Sequence, residues 1–235
     1  MGTDIAALVT AYEVRQDDDS FQRAIEALDS ELAKGENAQL LRDRGYILFS
    51  RARVTMREAL GWYRRSLVLE PDAEKTHLQL IVALAALGDV EDAISTYKER
   101  LAARPNDVSS HRLLAEAYLR AGDLARANVI VAAGLTLAPD HPGLIEQSGT
   151  VQAGLGMVDE ALATWRQAAS LDPNTISALF SRAFLLERLG RIPDAISEWE
   201  AILAWSRERS YELDSEWASN ELERLRSRLS ETPPT

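Results

Sequence analysis

Apolar residues along most of this chain recur every three or four positions, the spacing that lines one face of an α-helix. Glu74 to Leu87 carries such a face, Gly88-Asp89 interrupts it, and Val90 to Ala103 resumes it before Pro105. The pattern predicts two helices joined by a tight turn. Gly88 suits the left-handed residue that ends a helix, and Asp89 suits the cap of the next, where a carboxylate accepts from free backbone N–H groups. The block then repeats. Pro71, Pro105, Pro139 and Pro173 lie 34 residues apart, as do Gly88, Gly122, Gly156 and Gly190, and so do Ala59, Ala93, Ala127, Ala161 and Ala195. Three residue types that keep one period at fixed offsets predict an array of helical hairpins.

Within each unit the small residues Ala115, Gly149 and Ala183 of the first helix, and the Ala59 series of the second, mark where two backbones must approach closely. Tyr63, Tyr97, Trp165 and Trp199 share one offset in the second helix and are expected to fill the space beside those small residues, as core. Regular units run over 74–107, 108–141, 142–175 and 176–209, the last with Arg207 in place of the closing proline, which suits a helix that runs on. Residues 38–73 form a longer unit, because Gly45 to Ala59 spans 14 positions where Gly149 to Ala161 spans 12. The extra residues are expected in the turn, with Thr55 and Glu58 as a capping box that restarts the second helix. Residues 1–37 read as a degenerate terminal hairpin, with Phe21, Ile25, Leu28 and Leu32 on one face and Asp17-Asp18-Asp19 in the turn. Residues 210–235 read as a capping helix with Trp217, Leu222, Leu225 and Leu229 on one face, followed by a disordered tail from Thr232.

This pattern resembles the tetratricopeptide repeat, with Leu80, Leu114, Ala115, Tyr118 and Gly149 at the family's apolar, small and aromatic places. The resemblance implies an all-α fold, a right-handed α-solenoid of stacked helix-turn-helix hairpins with terminal capping helices. It also implies a concave channel, lined by the first helices, that receives an extended or helical peptide of a partner protein. The lining residues would be Arg42, Tyr46, Phe49, Gln79, Val82, Arg112, Glu116, Gln147, Thr150, Ser181, Phe184 and Arg188. In the family's carboxylate-clamp branch, which grips chaperone C-termini, asparagines would stand where this chain has Tyr46 and Val82, so that ligand is not expected.

Composition narrows the chemistry. With no cysteine in 235 residues there is no disulfide, thiolate zinc site or cysteine nucleophile, and only three histidines remain. His77 and His111 are 34 apart and so are expected in equivalent packing or capping places, while His141 lies in an inter-repeat turn. Pairs such as Glu91-Asp92 and Asp159-Glu160 open second helices, where negative charge complements the helix dipole. No phosphate loop, dinucleotide fingerprint, serine elbow or metal-helix motif occurs, so no enzyme and no cofactor is expected.

Charge narrows the partners. A net charge of -11 opposes nucleic acid, and the related RNA-binding helical repeats are basic with a 35-residue period. No apolar run reaches the roughly 20 residues that span a bilayer, and the first eleven residues lack the cation of a signal peptide. Ala6 stands where a myristoylation start has Ser or Thr, so a cytoplasmic protein is expected. Arginine outnumbers lysine 23 to 3, as GC-rich bacterial genomes produce. Residues 1–38 sum to -6 and residues 39–71 to +4, the latter through Arg42, Arg44, Arg51, Arg53, Arg57, Arg64 and Arg65. That basic stretch reads either as a solvated face balancing the acidic first hairpin or as a dock for an acidic peptide. The function expected from all this is a non-enzymatic adaptor that binds a segment of another protein. The alternatives are a homo-oligomer assembled through terminal helices bearing Trp205, Tyr211 and Trp217, or a regulatory subunit of an enzyme or transcription factor.

Overall fold

The computed structural model describes residues 4–35, 37–172, 176–209 and 212–231. Among these residues the chain forms twelve helices and no strand. They are α1 (Ile5–Arg15), α2 (Asp18–Leu32), α3 (Ala38–Leu69), α4 (Glu74–Leu87), α5 (Val90–Ala103), α6 (Val108–Arg120), α7 (Leu124–Leu137), α8 (Pro142–Gly154), α9 (Val158–Leu171), α10 (Ile176–Arg188), α11 (Ile192–Glu208) and α12 (Glu212–Glu231). They fall into two compact units, Met1–Asp92 and Ala93–Thr235.

From α4 to α11 the helices are those the 34-residue period predicts. Each turn inside a hairpin rests on a glycine in the left-handed region, with φ of 88° at Gly88, 75° at Gly122, 81° at Gly156 and 72° at Gly190. A side chain there would cost roughly 1 to 2 kcal/mol, which is why the turn selects glycine. Asp123 then caps α7, its carboxylate accepting from the Arg126 N–H at 2.9 Å. Pro71, Pro105 and Pro139 lie in the turns that join one hairpin to the next, and Pro173 falls outside the described residues.

In the second unit α7 packs against both α6 and α8, α9 against both α8 and α10, and α11 against both α10 and α12. Ala127, Ala161, Ala183 and Ala195 are fully buried, as are Trp199 and Ile202. Small fits closely to large where α8 meets α9, since a Cβ added at Gly149 would lie 2.6 Å from the Trp165 ring. Both core indoles satisfy their N–H, Trp165 on the Glu146 carbonyl at 3.0 Å and Trp199 on the Glu187 carboxylate at 2.9 Å. An interior ion pair joins α10 to α11, Arg182 to Glu198 at 2.6 Å. Burial lowers the pKa of the arginine and raises that of the glutamate, so each depends on the other.

The helix expected near the C-terminus is α12. Its Ala218, Leu222 and Leu225 are buried against the last hairpin, while Trp217 and Leu229 remain 41% and 48% exposed, so the predicted apolar face is only partly covered. Arg224 and Arg226 tie α12 to Glu187 and Glu200 at 2.5 and 2.6 Å. Arg207 falls inside α11, which runs three residues beyond the other second helices, as its missing proline suggests. The tail from Thr232 lies outside the described residues.

In the first unit α1, α2 and the first half of α3 enclose Tyr12, Ala24, Leu28 and Ile47, with Phe21 and Ile25 packed at the edge. The degenerate hairpin therefore forms, but Asp17 caps α2 through the Ser20 N–H at 2.7 Å, and Asp18 and Asp19 lie in the first turn of α2. The expected hairpin over 38–73 does not form. Residues 38–69 are one continuous helix of 32 residues. At the register of Gly88-Asp89 and its equivalents this segment has Ala52-Arg53, two strong helix formers with no glycine to take positive φ, so the hydrogen-bond ladder continues. Thr55 opens no capping box, for its hydroxyl donates to the Arg51 carbonyl at 3.1 Å within the helix.

Two substitutions of glycine should act in opposite directions. Gly149→Ala should lower stability by about 1 to 3 kcal/mol through overpacking against Trp165. Gly61→Ala, where an added Cβ meets nothing within 4 Å on the exposed side of α3, should raise it by about 0.5 to 1 kcal/mol. Urea unfolding of the two variants beside the parent checks both, and equal midpoints for all three would contradict the packing described.

Candidate functional site

The first helices of the second unit bring four of the expected lining residues into one cleft. Thr150 of α8 and Ser181, Phe184 and Arg188 of α10 line a cavity of about 430 Å³ with Ala153, Gly154, Trp165 and Leu185. Its size falls within the range of peptide and small-ligand sites. Phe184 is 45% exposed, yet its ring is fixed edge-on to Trp199 at 5.3 Å and lies 5.8 Å from Trp217 of α12. Phe180 stacks on the same Trp217 at 4.9 Å. Arg188 is exposed and forms no ion pair among the described residues. Thr150 donates its hydroxyl to the Glu146 carbonyl at 3.1 Å. The cleft thus offers an apolar wall, a rigid aromatic edge and a free guanidinium at its rim.

Three further expected residues form a structural network beside it. Gln147 is buried and spends its amide N–H groups on the Arg112 carbonyl at 3.0 Å and the Glu116 carboxylate at 3.1 Å. Glu116 also pairs with Arg120 at 2.7 Å. The Arg112 side chain lies across Gly143, where an added Cβ would collide with its Nε. These three therefore hold α6 to α8, and Gln147 does not reach toward a ligand as the sequence reading expected. Glu146 is drawn into the same network. Burial, reinforced by Glu116, holds its carboxyl above the usual range against the opposing pull of the Ser177 hydroxyl and the Arg112 charge.

The remaining five belong to the first unit. Arg42, Tyr46 and Phe49 are exposed on the first half of α3, Arg42 donating to the Gln39 side chain at 2.6 Å. On α4, Gln79 is exposed and Val82 half-buried. The basic stretch of α3 divides in use. Arg44 pairs with Asp29 at 2.6 Å and Arg51 with Asp18, so these two balance the acidic α2, while Arg53, Arg57, Arg64 and Arg65 are exposed.

The histidines take backbone partners. His77 bonds the Pro71 carbonyl at 2.8 Å and His111 the Asp107 carbonyl at 3.0 Å, in equivalent buried places, as the period implies. His141 caps α8, accepting from the Leu144 N–H at 3.3 Å. Among the described residues no helix is long and apolar enough to cross a membrane. Trp165, Leu185 and Trp217 join the site without having been singled out for it. Trp165 reads as core from its offset in the second helix, and only Trp217, an aromatic on the apolar face of the last helix, carried a signal.

The raised pKa of Glu146 has a measurable sign. Its ionised form is disfavoured in the folded protein, so its contribution to stability falls as the pH rises above about 4.5, the ordinary value. Glu146→Gln, which cannot ionise, should gain thermal stability over the parent between about pH 4 and pH 7. Paired melting curves test this, and a difference that does not change with pH would refute the burial argument.

Family models of the tetratricopeptide repeat match residues 84–145 and 147–211. The fold is similar to a thermophilic tetratricopeptide-repeat protein of Thermus thermophilus, with a TM-score of 0.58 and 25% identity, over 74% of this chain and 90% of that one. It is also similar to a tetratricopeptide-repeat protein of Parabacteroides merdae, with a TM-score of 0.50 and 16% identity, over 94% and 93% of the two chains. Among curated proteins the chain is 24% identical over 176 residues to human protein O-mannosyl-transferase TMTC1, and that match spans 73% of this chain and about a fifth of the human protein. With its 34-residue period, its glycine-turned hairpins and these matches, the chain belongs to the tetratricopeptide-repeat family.

Proposed function

We propose that this protein is a non-enzymatic cytoplasmic adaptor that holds a peptide segment of another protein, and that the cleft between α8 and α10 is where it grips. The observation that carries the reading is the pairing of an exposed but fixed Phe184 with the uncommitted Arg188 at one rim. An aromatic edge over an apolar wall accepts an aliphatic or aromatic side chain, and a free guanidinium accepts a carboxylate in two parallel hydrogen bonds. The ligand favoured is an apolar residue followed closely by an acid or a C-terminal carboxylate. Membership of a repeat family that serves protein–protein interaction supports the coarser statement.

A panel of short fluorescent peptides bearing one aliphatic or aromatic residue and one carboxylate, titrated by anisotropy, tests the cleft. A peptide that binds should weaken about tenfold or more with Arg188→Glu, because one charge-assisted contact is worth about 1.5 to 3 kcal/mol. Thr150→Arg, which fills the cleft, should weaken it comparably. Binding that neither variant changes would rule out this site.

A further inference from the structure

A face of α3 carries the residues of a hairpin interface and leaves them uncovered. Counted along the repeat, Gly45 and Leu48 hold the places of Ile81 and Leu84 in α4, of Ala115 and Tyr118 in α6, and of Ala183 and Leu186 in α10. Those six residues are at most 5% exposed, and α6 and α10 each pack against the second helix of their own hairpin. Gly45 is exposed with nothing within 4 Å of an added Cβ, Leu48 is 42% exposed, and their neighbours Leu41 and Phe49 are 47% and 62% exposed. The second half of α3 shows the complementary deficit. Ala59 and Tyr63 correspond to Ala93 and Tyr97, to Ala161 and Trp165, and to Ala195 and Trp199, all at most 3% exposed, yet both are only partly buried.

Both surfaces of one hairpin interface are therefore present in the chain and neither is closed. They cannot close on each other within one straight helix, since 18 residues separate Gly45 from Tyr63, about 27 Å along the axis. The same surfaces do close between two copies. We propose that α3 is a dimerisation element, pairing antiparallel with α3 of a second copy so that each first half packs on the other's second half. A two-fold axis across α3 midway between Ala52 and Met56 sets Gly45 against Tyr63 and Leu41 against Leu67, twice over. Gly45 against Tyr63 repeats the fit of Gly149 against Trp165 inside the regular hairpin.

Two observations favour a second copy over another occupant. The apolar positions Leu41, Gly45, Leu48, Met56, Ala59 and Tyr63 follow one helical face along nearly the whole length of α3, as a self-complementary seam requires. The uncovered side chains of both halves, doubled by the axis, come to on the order of 1,000 Å², which is enough for a specific interface. This pairing exchanges the first 52 residues between copies. It does not depend on the peptide cleft.

Because the chain has no cysteine, the full-length protein reports the pairing directly. In Leu41→Cys/Leu67→Cys the two thiols lie 26 residues apart on one helix, about 39 Å, far beyond the roughly 4.4 to 6.8 Å between the Cα atoms of a disulfide. Oxidation should give a covalent dimer of about twice 26.0 kDa, whereas Leu41→Cys alone should stay monomeric under denaturing, non-reducing conditions. A disulfide within one chain would show that α3 bends and closes its own hairpin, and no disulfide would show that the halves never meet; either overturns the proposal. Sedimentation of the unmodified chain should show a dimer, and a monomer up to about 100 µM would overturn it as well. Ala52→Gly/Arg53→Asp restores the turn of the other repeats and should raise the dissociation constant at least tenfold, as should Leu48→Glu. An unchanged dimer in both, with helical circular dichroism intact, would place the interface elsewhere.

Discussion

The left-handed backbone at the middle of each hairpin is the constraint on which the rest of this structure depends. Inside each regular hairpin the chain reverses at one residue of positive φ, and Gly88, Gly122, Gly156 and Gly190 accept it without steric cost. At Gly122, Gly156 and Gly190 the reversal lays a second helix on the first, and only then do the small residues of one meet the large residues of the other. Where the glycine is replaced by Ala52, the reversal is lost and α3 runs on for 32 residues. The exchange of Gly-Asp for Ala52-Arg53 thus separates a closed hairpin from a single long helix with an uncovered face.

Once the hairpins close, their energetics rest on complementary volumes. Gly149 leaves room for the Trp165 indole, and the hairpin that has Ala115 in the same place carries the smaller Val131 opposite. Protein interiors are dense enough that such pairs are felt to within a methylene. Polar side chains drawn inside also find partners, though the buried Gln147 Oε1 and Arg182 Nε make no hydrogen bond among the described residues. Arg182 meets Glu198, Gln147 meets Glu116 and the Arg112 carbonyl, and both core indoles find acceptors. These interactions stiffen the array, and Phe184 and Arg188 face outward from it.

That division between inward and outward explains what each arginine does. Arg112, Arg182 and Arg188 lie on first helices and read alike as side chains. The first lies across Gly143, the second is buried against Glu198, and the third is exposed at the rim of the cleft. A cation serves recognition only when the fold leaves it uncommitted, so the candidate site narrows from twelve expected residues to the four that line one cavity.

From the sequence alone came the hairpins between Glu74 and Glu208, the left-handed glycines, the aromatic core and the apolar side of the last helix. These are local matters, because period, turn chemistry and side-chain volume act over a few residues at a time. The continuity of α3 was also written locally, in Ala52-Arg53, but the repeat on either side of it argued for a turn, and the stronger local helix propensity prevailed. Which polar side chains would spend their hydrogen bonds internally only the tertiary structure decided. Gln147 and Phe184 stand on first helices with equal claim to a ligand, and the proximity of Glu116 and Arg112 to one, and of Trp199 and Trp217 to the other, depends on how separate helices pack across 15 to 35 residues of chain.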